Sequence, residues 1–165
     1  MSVLASEIKF YLTGGASNSD PNLSLGGVVS STQVSGSLHG LFDSVKPEEA
    51  AAGDIEYRAI EVKNTNVSET LSDAYLYVSS ETSSTDTIAA LAYDSGGSQS
   101  VANESTAPSA PTLTFTTPYS KATGIALGDI AAGASKRFWV RWTVTAGALK
   151  MAADTGQLTV EGGTT

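Results

Sequence analysis

Alternation of apolar and polar side chains is the main pattern along the chain, and it predicts β-strands. In residues 136–145, Phe138, Val140, Trp142 and Val144 share one parity. Such alternation places one set of side chains in a core and the other set on the outer face of a sheet. Other stretches that are alternating, apolar or β-branched predict further strands at 7–12, 28–34, 54–64, 71–78, 87–93, 112–117, 125–130 and 157–161.

The stretch 54–64 changes parity in its middle. Ile55, Tyr57 and Ala59 alternate, and Ile60 and Val62 continue with the opposite parity. An extra residue in one strand re-aims the side chains that follow it. The pattern therefore predicts a β-bulge near residues 59–60.

Helix signals are weak in this chain. Residues 46–53 have Pro47 near their start and Gly53 at their end, which predicts one helical turn within a loop. Short strands separated by turn residues indicate an all-β protein, an antiparallel β-sandwich. We expect an immunoglobulin-like Greek key in residues 36–165, clearest from about 40 to 162, with residues 1–35 as an N-terminal hairpin or arm.

Composition narrows the function classes. The 165 residues include no cysteine and one histidine, and they carry a net charge of -8 with only 16% charged residues. These counts exclude disulfide scaffolds, thiol catalysis and multi-histidine metal sites. The acidic balance disfavours a nucleic-acid partner. We also expect no membrane partner and no signal peptide, because the chain has neither a long apolar run nor a basic start followed by an apolar core.

Residues with catalytic chemistry do not form a recognisable motif. His39 has no Gly-x-Ser-x-Gly elbow to serve, so we interpret it as a loop or surface histidine. The carboxylates Glu48, Glu49, Asp54 and Glu56 are close in sequence, but a solvated acidic loop is favoured over a glycosidase pair, given that aromatics are only 7% of the chain. We expect no enzymatic activity and no cofactor.

Alternating Asn18, Asp20 and Asn22 are superficially similar to a calcium loop. The glycine and the distal glutamate of such a loop are missing at the required offsets. We therefore expect no metal site there.

Two aromatic stripes are the candidate protein–protein contacts. Arg137, Trp139 and Arg141 share the parity opposite to the core set of their strand, and Tyr75 and Tyr77 share one face of theirs. Tryptophan, tyrosine and arginine are enriched where proteins bind one another. The alternatives are a tryptophan covered by neighbouring side-chain stems and paired across the sheet, and ordinary sandwich packing of the tyrosines.

Three stretches carry a family resemblance. They are residues 7–15 (EIKFYLTGG), followed by an NSDPN loop and an LGG turn, residues 53–64 (GDIEYRAIEVKN) and residues 128–142 (GDIAAGASKRFWVRW). With them the chain resembles small virion structural proteins of tailed bacteriophages, and it is most similar to capsid decoration, or cement, proteins.

That resemblance implies a non-enzymatic protein that binds and stabilises the outer capsid shell. The implied partners are the major capsid protein or other virion proteins, and the chain would form a homo-oligomer. It would be made in the bacterial cytoplasm and reside on the capsid exterior. The alternative is a β-sandwich module of a tail, collar or fibre, for which host-surface carbohydrate is the candidate ligand.

Overall fold

Seven β-strands form two antiparallel sheets in the part of the chain that the computed structural model describes, namely residues 2–81, 84, 86–109, 113–149 and 154–164. The four-stranded sheet has the order β1-β2-β6-β4 and the three-stranded sheet the order β5-β3-β7. The strands are β1 (Ile8–Tyr11), β2 (Asp54–Asn64), β3 (Leu71–Glu81), β4 (Thr87–Asp94), β5 (Ile125–Ile130), β6 (Ser135–Val144) and β7 (Gly156–Thr164). The short helix α1 (Pro47–Ala52) and the 3-10 turns Ala5–Glu7, Pro21–Leu23 and Lys121–Thr123 complete the elements.

The predicted antiparallel β-sandwich is confirmed. Consecutive strands β2 and β3 lie in opposite sheets, as do β6 and β7, while β2 pairs with β6 and β3 pairs with β7. These crossings between the sheets belong to a sandwich, and the immunoglobulin-like Greek key stays a prediction. The core lies between the sheets, where fully buried Ile60, Leu76 and Phe138 belong to one cluster.

The single helical turn is also confirmed. Helix α1 begins at Pro47, and the Lys46 amide donates to Glu49 Oε2 at 2.7 Å, which satisfies one free N–H group at the helix start. Gly53 ends the helix with a φ of 81°, a conformation that favours glycine.

Two predicted strands are not regular strands. Residues 28–34 run beside β1 through single bonds, including Leu12 N–H to Thr32 O at 3.0 Å and Val34 N–H to Phe10 O at 2.9 Å. Of the described residues of the other predicted strand, 113–117, only Thr116 forms a bridge, with Leu91. Both segments are rich in β-branched residues, yet their backbones hydrogen-bond to the sheet only at single residues. Residues 110–112, which include the first residue of the predicted strand 112–117, lie outside the described part.

The predicted bulge in β2 is wrong. Its register with β6 is continuous from Asp54 opposite Val144 to Lys63 opposite Ser135. Parity changes in the sequence because every residue from 56 to 62 is buried, so apolar side chains are acceptable on both faces. Register shifts occur instead where β3 pairs with β5 and β7.

The N-terminal segment is packed into the sandwich. β1 is the edge strand of the four-stranded sheet and pairs with β2 from Ile8 opposite Asn64 to Tyr11 opposite Glu61. Past the end of β1, Ser24 pairs with the edge of β2. The Ala59 N–H donates to Ser24 O at 2.7 Å, and Ser24 Oγ donates to Ala59 O at 2.6 Å. Within the described residues, no helix has the length and apolar character needed to cross a membrane.

Candidate functional site

The outer face of β6 is buried beneath other parts of the same chain. Trp139 is 0% exposed and packs with Tyr57 and Ala59 against Val101, Leu113 and Phe115. These last residues belong to what we call the covering loops, residues 24–27, 99–109 and 113–116. The expectation that Trp139 lies at an accessible contact surface is therefore not met, because loops distant in sequence pack over it.

Polar contacts hold the covering loops in place. The Trp139 indole N–H donates to Asp94 Oδ2 at 3.4 Å, and the same carboxylate accepts from the Gln99 amide at 3.3 Å. The Val101 N–H donates to Leu25 O at 2.9 Å, which joins two of the loops. An indole N–H buried without a partner would be costly, so these bonds select this arrangement.

The two arginines beside Trp139 are structural. Arg137 is 4% exposed, and its guanidinium donates to the Glu61 carboxylate at 2.8 and 3.0 Å and to Gly27 O at 2.6 Å. Arg141 lies over the Phe115 ring at 5.2 Å from its centroid. Together they fasten the covering loops to the sheet by charge-assisted hydrogen bonds and a cation–π contact.

Sequence reasoning missed the most buried cation of the protein. Arg58 is fully buried, and its Nη2 contacts Glu104 Oε2 at 2.7 Å, Asn22 Oδ1 at 2.8 Å and Glu56 Oε2 at 2.9 Å. The guanidinium also lies 5.1 Å from the centroid of Phe42. At this junction Arg58 joins β2 to the loop that carries Asn22 and to the covering loop that carries Glu104. The residues around Arg58 in the sequence, EYRAI, do not indicate these distant partners.

Glu56 shares that junction and is shifted in pKa. Burial raises the pKa of Glu56 to about 7, because the loss of solvent outweighs the opposing effect of the Arg58 charge. The carboxylates of Glu104, Asp43 and Asp54 raise it further. The fold therefore binds a proton here more tightly than the unfolded chain does.

We expect stability to fall as the pH rises from about 4.5 to about 7, the interval between the unfolded and folded pKa values of Glu56. A raised carboxyl pKa means that the folded state holds the proton longer, so deprotonation favours unfolding by at most about 3 kcal/mol. Glu56→Gln removes this proton, and its advantage over the wild-type protein should be larger at pH 8 than at pH 5. Urea unfolding of both proteins at the two pH values measures this, and an equal difference at both would contradict it.

Three carboxylates come together near this junction. Ligand oxygens of Glu49, Asp54 and Glu56 lie within 4.8 Å of one another, which is close enough to hold a cation. Glu49, however, already accepts from the Lys46 amide and its ammonium group, at 2.7 and 3.2 Å, and Glu56 accepts from Arg58. Glu48 is not part of the group. The predicted acidic loop is thus in part a helix start and a buried ion pair.

The first loop uses its alternating amide and carboxylate side chains to shape itself. Asn18 Oδ1 accepts from the Asp20 amide and Asp20 Oδ1 from the Asn22 amide, both at 2.9 Å. The Asn18 side chain donates to Thr13 O at 2.6 Å. These are turn-forming bonds, which explain the spacing of the residues. His39 lies exposed in another turn, with a φ of 61°.

Tyr75 and Tyr77 lie half-buried on the outer face of the three-stranded sheet. Tyr77 Oη donates to Glu161 Oε2 at 2.9 Å, and Lys121 Nζ lies 3.4 Å from Glu161 Oε1. The hydrogen bond to Glu161 raises the pKa of Tyr77, and the bonds from Tyr77 and Lys121 lower the pKa of Glu161. Of the five predicted contact residues, these two tyrosines are brought together on an outer face.

No protein-family model, curated protein or solved structure matches the chain.

Proposed function

We propose that this protein is a non-enzymatic structural protein that binds another protein through the outer face of its β5-β3-β7 sheet. The observation that carries the proposal is the contrast between the two outer faces. Trp139 is 0% exposed beneath the covering loops, whereas Tyr75 and Tyr77 are partly open to solvent. A tyrosine combines a large apolar ring with a hydroxyl group and few rotatable bonds, which suits it to interfaces.

The particular role that we propose is decoration of a tailed-phage capsid, with the major capsid protein as partner. The resemblance of residues 7–15, 53–64 and 128–142 to small virion proteins supports this role. A low fraction of charged residues supports it too, because short serine, threonine and alanine side chains lose little entropy when they pack against a shell. Such a protein would stabilise the head by binding the assembled shell and not the free subunits.

A tail, collar or fibre module remains the competing role. Carbohydrate binding would need exposed aromatics, and the sequence offered Trp139 together with Tyr75 or Tyr77 for this purpose. Since Trp139 is fully buried, the tyrosines are what remains of that set. A pair of half-buried tyrosines on the outer face of a sheet suits a protein surface better than a sugar cleft.

The proposal predicts that purified protein binds phage heads that lack it and protects them against heat. Tyr75→Ala/Tyr77→Ala should weaken this binding about tenfold or more, since buried aromatic anchors carry much of an interface's energy. Co-sedimentation with bare heads measures the affinity, and mass spectrometry of virions gives the copy number.

Tyr11→Ala is the matched control, because Tyr11 is a half-buried tyrosine of the other sheet. It should bind heads as the wild-type protein does, and circular dichroism should show that all variants are folded. Bare and decorated heads of equal heat stability would refute the cement role. Only a few copies per virion would indicate a tail, collar or fibre part.

A further inference from the structure

Strand β7 has an open backbone edge. Within the described ranges it pairs with β3 alone, and no loop of those ranges donates to or accepts from the backbone of residues 156–164. Backbone N–H and C=O groups on such an edge are strong hydrogen-bonding groups, and they form a ready template for another strand.

The other three sheet edges differ from this one. Val34 hydrogen-bonds to Phe10 of β1, and Thr32 bonds to Leu12 just beyond the end of that strand. Thr116 exchanges two backbone bonds with Leu91 of β4, at 2.7 and 2.9 Å. In β5, Gly128 has a φ of 70° and the pairing with β3 shifts register, so that edge is irregular. Among the described residues, β7 is thus the sheet edge that is both long and uncovered.

The side chains of β7 do little to prevent pairing. The strand contains no lysine, arginine or proline, which are the residues that commonly protect an edge. Leu158 and Val160 face the core opposite Val78 and Leu76, and they are only half-buried although Val78 and Leu76 are 1% and 0% exposed. Apolar surface therefore remains open along the inner side of this edge.

We propose that two copies of the chain pair antiparallel through β7 and form a homodimer with one continuous sheet. A two-fold axis at Thr159 sets Leu158 opposite the partner's Val160 and Gln157 opposite the partner's Glu161. Apolar side chains then meet on the inner face, and an amide meets a carboxylate on the outer face. No like charges lie directly opposite each other, which would otherwise destabilise the pair.

A second copy suits this edge better than an unrelated strand, because the edge is complementary to itself in that register. Its one charged residue is Glu161, which Tyr77 and Lys121 already engage at 2.9 and 3.4 Å. The local edge is thus nearly neutral in a chain of net charge -8, which limits repulsion between copies. Pairing also places the Tyr75 and Tyr77 faces of both copies on one surface. The dimer does not depend on the virion role.

Analytical ultracentrifugation of the full chain from about 1 µM to about 1 mM tests the dimer, since a single strand pair forms a small interface of modest affinity. Thr159→Lys and Thr159→Glu each place two like charges at the two-fold axis. Each variant should be monomeric where the wild-type protein is dimeric. An equimolar mixture of the two should recover the dimer, because lysine then faces glutamate.

Ala126→Lys is the control: Ala126 is exposed on the same sheet face, opposite Tyr75, but in β5 on the far edge. It adds the same charge and should dimerise as the wild-type protein does. Thermal unfolding checks that each variant is folded. A wild-type protein that stays monomeric throughout the range overturns the proposal. So does a Thr159→Lys variant that dimerises normally, or a mixture that fails to recover the dimer.

Discussion

Replacement of Trp139 by alanine is expected to lower the free energy of unfolding by about 4 kcal/mol. The side chain is 0% exposed and fills the space between β6 and the covering loops, next to Tyr57 and Ala59. Removal of a buried indole forfeits its burial and leaves a cavity that the surroundings fill only in part. Urea denaturation measures the loss, and for a chain of this size the melting temperature should fall by roughly 10 °C.

The same experiment separates the two interpretations of Trp139. If Trp139 were an exposed contact residue, its substitution would weaken partner binding and leave the stability of the protein unchanged. Tyr119→Ala is the aromatic control, since Tyr119 is 53% exposed, and its unfolding free energy should change by less than about 0.5 kcal/mol. A Trp139→Ala variant as stable as this control would contradict the buried position.

Replacement of Arg58 by methionine is expected to cost about 3 to 5 kcal/mol. The substitution keeps much of the side-chain volume but removes the cation that Glu56 and Glu104 contact at 2.9 and 2.7 Å. A buried carboxylate left without its counter-charge is strongly destabilising. Because Glu56 already has a raised pKa, the loss should be smaller at pH 5, where this carboxyl is protonated, than at pH 8.

A double-mutant cycle tests the cause of that loss. Adding Glu56→Gln to Arg58→Met should restore part of the stability at pH 8, because the glutamine amide leaves no buried charge without a partner. Lys121→Met is the control: it removes a cation whose side chain is 43% exposed, and it should change the free energy of unfolding little. Strictly additive effects of the two core substitutions would show that Arg58 and Glu56 are not coupled.

Local patterns determined the strands because the two-residue period of a strand is visible in a short window. The predicted stretch 136–145 matches β6, Ser135–Val144, to within one residue at each end, and 54–64 coincides with β2. The strand predicted at 28–34 is not regular, because β-branched side chains indicate an extended backbone but not whether a neighbouring strand pairs with it. The prediction of a bulge in β2 was wrong because both faces of this strand are buried, so apolar and polar residues need not alternate there.

The candidate site was less accessible to such reasoning. Tyr75 and Tyr77 were placed on one face by parity alone, and the structure brings them together there. The partners of Arg58 are Asn22 and Glu104, which are 36 and 46 residues away in sequence, so no local window contains them.

The sequence by itself determined that this is an all-β, cysteine-free acidic chain and that Trp139 has the parity opposite to the core face of β6. Those properties follow from composition and from a local period. Only the tertiary structure decided that this opposite face is also buried and that Arg58 and Arg137 bind partners inside the protein. It also decided that, within the described residues, Tyr75 and Tyr77 stay partly exposed and β7 has an uncovered edge. The physical reason is that burial depends on which distant segments pack over a strand, and long-range packing leaves no periodic trace in the strand itself.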